Sequence, residues 1–80
     1  SCWAFAGVST LAHRMCIASQ GATKVVLSPQ MLISCDSKNL ACNGGWMQYT
    51  WDYMIANGVV TDQCFPYVGS KGRCPFPGQC

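Results

Sequence analysis

Seven cysteines in a chain of 80 residues constrain this fold more than any other feature. A single core of this size seldom holds a fold without staples. Cysteines at this density are the usual staples of proteins from oxidising compartments, here secreted, lysosomal or vacuolar. Zinc is the competing use. Its ordinary signature is a closely spaced ligand pair, yet the sequence has no Cys-x-x-Cys, and its nearest pairs are Cys74 with Cys80 and Cys35 with Cys42. No metal and no cofactor are expected. The odd count implies either a free thiol or a partner cysteine elsewhere.

The other bulk properties exclude function classes. Glutamate is absent, the acidic residues are Asp36, Asp52 and Asp62, and the net charge is +2. The five basic residues are scattered, so no electrostatic footprint for nucleic acid exists. No apolar run approaches a membrane span. The sequence lacks an initiator Met and begins on Ser1-Cys2. It is therefore expected to be one segment of a larger protein whose leader has been removed or lies outside these residues.

Helical spacing of Phe5, Val8, Ala12 and Met15 predicts a first helix from about Cys2 to Ser19, ended by Gly21. Ala4, Leu11 and Ile17 thicken that stripe, so the helix is expected to be largely buried, with His13 and Arg14 on its wetter side. Lys24 to Leu27 is a short link. Ser28 as N-cap and Pro29 at the first helical position begin a second, short helix ending near Cys35. A polar loop from Asp36 to Gly45 exits through adjacent glycines. A third helix from about Trp46 to Asn57 presents Met47, Trp51, Met54 and Ile55 as its apolar face, with Gly58 at its end. Val59 to Thr61 reads as a short strand. Beyond it, Cys64, Pro66, Gly69, Gly72, Cys74, Pro75, Pro77, Gly78 and Cys80 mark an irregular, stapled region.

Cys2 carries the chemistry. At the N-terminus of a helix, unpaired backbone N–H groups and the positive end of the helix dipole favour a thiolate over a thiol, which is what a nucleophilic cysteine needs. Its usual partner is a histidine within hydrogen-bond reach. The only histidine, His13, lies eleven residues along the same expected helix. At ~1.5 Å rise per residue that is roughly 16 Å away, too far to act as base. By residue chemistry alone, Cys2 is half of a catalytic site or else a disulfide partner.

Four motifs tip that balance. Ser1-Cys2-Trp3-Ala4-Phe5-Ala6 resembles the nucleophile segment of papain-like cysteine proteases. Ser28-Pro29-Gln30-Met31-Leu32-Ile33-Ser34-Cys35-Asp36 resembles that family's second-helix segment. Cys42-Asn43-Gly44-Gly45-Trp46 resembles its Cys-Asn-Gly-Gly-aromatic motif, and Phe65-Pro66-Tyr67 its Tyr-Pro-Tyr turn. The segment His13-Arg14-Met15-Cys16-Ile17, Cys64 just before Phe65, and the late pair Cys74 and Cys80 are similar to cathepsin B.

The resemblance implies the two-lobed α+β papain-like fold, of which residues 1–80 would be a partial catalytic domain: most of the helical left lobe, with about three helices and a disulfide-stapled irregular region. Cys2 would be the nucleophile of acyl transfer through a thioester, its N–H helping to form an oxyanion hole. The hole's glutamine would precede Ser1, and the His base and orienting Asn would follow Cys80. Gly44 and Gly45 would bind extended peptide or protein substrate through the main chain. Trp46 and Met47 would flank the second and third subsites, and Trp3 would pack under the cleft. Cys35 would pair with Cys74 and Cys64 with Cys80, while Cys16 and Cys42 would each pair with a cysteine upstream of Ser1. A propeptide and cystatin-type inhibitors would be further partners.

One departure bears on specificity. Cathepsin B has an occluding loop with two histidines between the positions matching Cys64 and Cys74, whereas here only Phe65 to Arg73 lies between them, without histidine. The expectation is an endopeptidase without dipeptidyl carboxypeptidase activity, inactive as residues 1–80 alone. The alternatives are a catalytically inactive papain-like homologue acting as a secreted binding protein, and a free-standing disulfide-rich interaction module.

Overall fold

The computed structural model describes residues 1–80, and its first element is set by the chain's first residues. Helix α1 spans Cys2–Ala18. Ser1 is its N-cap through the main chain alone, its carbonyl accepting from the N–H groups of Ala4 (3.1 Å) and Phe5 (3.2 Å). At the other end the chain turns left-handed one residue earlier than expected, at Gln20 (φ 56°), and continues so through Gly21 (φ 85°). The N–H of Gly21 closes the helix by donating to the Cys16 carbonyl at 2.8 Å.

Helix α2 spans Pro29–Cys35. Its start follows the sequence signal: the Ser28 hydroxyl accepts from the Met31 N–H at 3.0 Å, and Pro29 occupies the first turn, where its missing N–H costs nothing. Ser28 also donates to the Phe65 carbonyl at 2.7 Å, tying the late irregular region to the head of α2. Every residue from Pro29 to Ser34 is buried. Helix α3 spans Met47–Asn57, with Trp46 as N-cap and Gly58 (φ 72°) beyond its end, donating to the Met54 carbonyl.

The core lies where α1 and α3 meet α2, and comprises Trp3, Ala4, Val8, Leu27, Leu32, Ile33 and Met54. Gly7 lets α3 approach α1 closely: a Cβ on it would lie 2.5 Å from the Thr50 methyl group. On the solvent side the Arg14 guanidinium sits over the Trp51 ring, 5.2 Å from its centroid.

Three expectations are corrected. First, α1 is not largely buried. Its covered face is Trp3, Ala4, Gly7 and Val8, while Phe5 (42% exposed), Met15 and Ile17 (77%) lie open. The expected stripe is a second apolar face, about a quarter turn from the first. Its members Phe5, Val8 and Ala12 line, with Val25, Leu27 and Tyr67, an open groove of ≈ 590 Å³, across which Phe5 meets Tyr67 edge to face at 4.9 Å.

Second, of the expected face of α3, Met54 is buried in the core and Trp51 packs half-buried against it, but the other inward residue is Thr50, not Met47 or Ile55. Ile55 stands about 100° round from Met54 and is 84% exposed. Met47 lies in the first turn and is also exposed.

Third, the strand at Val59 to Thr61 is reduced to one antiparallel bridge, Leu27 with Thr61. Two main-chain bonds flank it, Ser28 N–H to the Val60 carbonyl and Asp62 N–H to the Val26 carbonyl, each 2.8 Å. The ladder cannot extend past Ser28, because Pro29 has no N–H and already belongs to a helix.

Two disulfides fasten the irregular region. Cys35–Cys74 joins it to the end of α2, and Cys64–Cys80 closes it on itself. Between them the chain is held by Gln30, a buried side chain that accepts from the Val68 N–H (3.0 Å) and donates to the Ser70 carbonyl (2.7 Å). Ser34 accepts from Gln30 and donates to the Lys71 carbonyl.

Candidate functional site

Cys2 is the first residue of α1 and its thiol is exposed and unbridged. The N–H groups of Cys2 and Trp3 have no acceptor within the helix, since the Ser1 carbonyl serves Ala4 and Phe5. An anionic sulfur or an oxyanion beside Cys2 would therefore meet free donors at the positive end of a 17-residue helix. No base stands beside it. His13 lies further along the same helix, on the rim of the apolar groove.

Trp3 joins Cys2 to the glycine loop. Its indole is 4% exposed, and its Nε1–H donates to the Ala41 carbonyl at 2.8 Å. Gly45 lies directly on the ring: a Cβ there would come within 2.7 Å of the indole Cγ and 2.8 Å of Cδ2. Trp3 thus supports the loop from beneath and offers no open surface of its own. Gly44 is required for a different reason. Nothing lies within 4 Å of where its Cβ would be, but its backbone (φ 127°, ψ 174°) occupies a region that other residues avoid. Trp46 (70% exposed) and Met47 (37%) project from the head of α3 just beyond.

A buried polar cluster fixes this loop from the other side. The Trp46 N–H donates to Asn39 Oδ1 at 2.6 Å. Asn39 Nδ2 donates to Asp36 Oδ2 (2.7 Å) and to Thr50 Oγ1 (3.3 Å), and the Thr50 hydroxyl donates to the Trp46 carbonyl (3.2 Å). The Lys38 N–H donates to the other Asp36 oxygen. Asp36, Asn39 and Thr50 are all buried. Burial, and then the Asp36 carboxylate, push the nearby Tyr53 phenol above its ordinary value of 10.0.

The structure brings Cys2, Trp3, Gly44, Gly45, Trp46 and Met47 into one region through the Trp3 contacts. Cys16, half-buried on α1, and Cys42, exposed beside the glycine loop, carry no bridge within the chain. Sequence reading missed Asn39 and Thr50 altogether and gave Asp36 no role. Asn39 sits in an aperiodic loop, and Thr50 was masked by the apolar residues around it. Thr50, four residues after the N-cap Trp46 and on the line of Met54, was the one available hint.

The sequence matches the family described as papain family cysteine protease over residues 1–80. A cathepsin B-like protein of Giardia intestinalis is 42% identical over 79 residues, a match covering 94% of this chain and 26% of that protein. The ragweed pollen cysteine protease Amb a 11, solved in its proform, superposes with a TM-score of 0.84 at 38% identity over 91% of this chain and 22% of its own. A cysteine protease of Carica candamarcensis, solved in complex with E-64, superposes with a TM-score of 0.90 at 28% identity over 99% of this chain and 36% of its own. The chain thus spans about a quarter of the curated relative's length. With one family matched from end to end and its solved members sharing this fold, the chain belongs to the papain family of cysteine proteases.

Proposed function

We propose that the protein carrying this chain is a cysteine endopeptidase and that Cys2 is its nucleophile. The observation that carries this reading is an exposed, unbridged thiol at the head of α1, coupled through Trp3 to a glycine loop with one open face. The Cys2 thiol gives its proton to the histidine base supplied after Cys80, and the thiolate sulfur attacks a peptide carbonyl. The oxyanion is held by the free Cys2 N–H together with a glutamine from the part of the domain before Ser1. The amine leaves with a proton from the same histidine, which is oriented by an asparagine, and water then hydrolyses the thioester. Extended peptide lies along Gly44 and Gly45, with Trp46 and Met47 beside its second and third residues. Residues 1–80 are then most of the helical lobe, and the remainder of the domain covers the apolar groove of α1. Cys16 and Cys42 pair with cysteines before Ser1.

Cleavage is internal rather than dipeptide by dipeptide. Phe65 to Arg73 contains no histidine and is tied down on Gln30 and Ser34, which supports an open end to the cleft. A propeptide and cystatin-type inhibitors are proposed to occupy the same cleft, and the compartment is proposed to be lysosomal, vacuolar or extracellular, in keeping with the disulfides. In the full-length protein, Cys2→Ala should lower kcat by about a thousandfold or more, and rapid-quench mass spectrometry should find the acyl group on the Cys2 peptide. Undiminished turnover in that variant, or acyl label elsewhere, refutes the assignment.

A further inference from the structure

We propose that Asn39 is a positioning residue for the substrate-binding loop, acting through the Trp46 N–H. This deepens the reading of Gly44 and Gly45 as the main-chain substrate site and rests on it. The geometry supplies a chain of fixed contacts from the core to the loop. Asp36 holds the Asn39 amide nitrogen, which fixes which end of the amide faces the loop, so that Oδ1 points at Trp46. Asn39 Oδ1 also lies 2.6 Å from the position a Gly45 Cβ would take, so the same oxygen abuts Gly45 and anchors Trp46. Thr50 closes the circuit by accepting from Asn39 and donating to the Trp46 carbonyl.

The peptide planes around Gly45 are thereby gripped on two sides, by the Trp3 indole and by Asn39. Two glycines in succession have little conformational preference of their own. Main-chain recognition of an extended peptide needs its donor and acceptor held in place before binding, because ordering them afterwards subtracts from affinity. Asn39 supplies that order without touching substrate.

The test uses the full-length enzyme with Asn39→Leu and Asn39→Asp. Asn39→Leu keeps the approximate shape and removes both polar groups. It should raise KM about tenfold for a peptide substrate that reaches past the second subsite, with kcat changed less than twofold. The rate of Cys2 alkylation by iodoacetamide, which needs no main-chain contact, should be unchanged. Asn39→Asp can both donate and accept only when its carboxyl is protonated beside Asp36. Its KM should therefore approach the parent value as pH is lowered and diverge as pH rises.

A second readout does not depend on turnover: amide hydrogen exchange at Trp46 should accelerate at least tenfold in Asn39→Leu while Met54 in α3 keeps its protection. Loss of protection at Met54 in step with Trp46, or a parallel fall in kcat and alkylation rate, overturns the proposal by making Asn39 a general stability residue. A parent protein that hydrolyses no peptide, with the exchange result as expected, removes the peptidase reading and leaves Asn39 as the anchor of the loop.

Discussion

Replacing Gly45 with alanine separates two reasons for its being glycine. One is access, a bare main chain open to substrate. The other is support, because the residue lies on Trp3. The structure favours support as the larger effect. A Cβ would stand 2.7 and 2.8 Å from two indole carbons and 2.6 Å from Asn39 Oδ1, whereas comfortable carbon contacts begin near ~3.5 Å. The indole cannot step aside freely, being 4% exposed and bonded to the Ala41 carbonyl. Overpacking of this kind costs about 1–3 kcal/mol, and a displaced Trp3 would lose a hydrogen bond of about 1 kcal/mol. The gain from stiffening the unfolded chain is about 0.4–1 kcal/mol. The net loss is then about 2 kcal/mol, or a fall of about 1 M in the urea midpoint if m is near 2 kcal/mol/M. Tryptophan fluorescence of the full-length protein in urea, with free thiols blocked, measures it directly. Gly44→Ala serves as the comparison, since it meets no atom and loses only the backbone strain energy, about 1–3 kcal/mol. A Gly45→Ala protein with an unchanged urea midpoint and only a raised KM would refute the reasoning and return the glycine to an access role.

Three further outcomes follow from the packing. Gly7→Ala gains about 1 kcal/mol in helix propensity but meets the Thr50 methyl at 2.5 Å. The single variant should lose stability, and Thr50→Ser, which keeps the hydroxyl and removes the methyl, should rescue it, an interaction energy readable from a double-mutant cycle. Gln30→Leu strands the Val68 N–H and the Ser70 carbonyl. It should cost about 2–4 kcal/mol and show as rapid proteolytic nicking between Tyr67 and Arg73. The Tyr53 phenol titrates above 10.0, through burial first and Asp36 second. Its contribution to stability is therefore complete below the unfolded value and falls as pH rises through the folded one. Ultraviolet difference titration of the parent against Tyr53→Phe should show the missing phenol titrating late, and Asp36→Asn should move it only part of the way back because the burial remains.

The parts of this fold legible in the sequence are those governed by adjacent residues. Ser28-Pro29 placed the start of α2 to the residue, because both signals act within one turn. Gly58 placed the end of α3, and Trp46 was misassigned by a single position, from first helical residue to N-cap. Orientation was less legible. Phe5, Val8, Ala12 and Met15 have helical spacing, yet so do Ala4, Val8 and Leu11, and period alone cannot say which set faces the core. The cluster of Asp36, Asn39, Thr50 and Trp46 was not legible at all. Its bonds join a loop to a helix across up to eleven residues, and nothing in the types or spacing of those residues specifies the pairing. The disulfide partners were reachable only through the family resemblance, since spacing leaves several pairings open.

The second apolar face of α1 also bears on what kind of protein this is. A free-standing disulfide-rich module must turn polar residues outward, because a contiguous apolar patch invites association. Here Phe5, Val8, Ala12, Val25, Leu27 and Tyr67 line one groove, and Val26, also in its lining, is 73% exposed. Covering such a face stabilises by about 25 cal/mol for each Å² removed from water, and an uncovered one forgoes it. Helix α1 is therefore built to be packed on two sides: against α2 and α3 on the face of Ala4 and Val8, and against a second layer on the face of Phe5 and Ala12. Cys2 stands at the end of the one helix that both layers would hold. The nucleophile proposed there would be oriented from both sides, by Trp3 and the glycine loop on one and by the covering layer on the other. That geometry suits a cleft between two lobes better than a self-contained binding module.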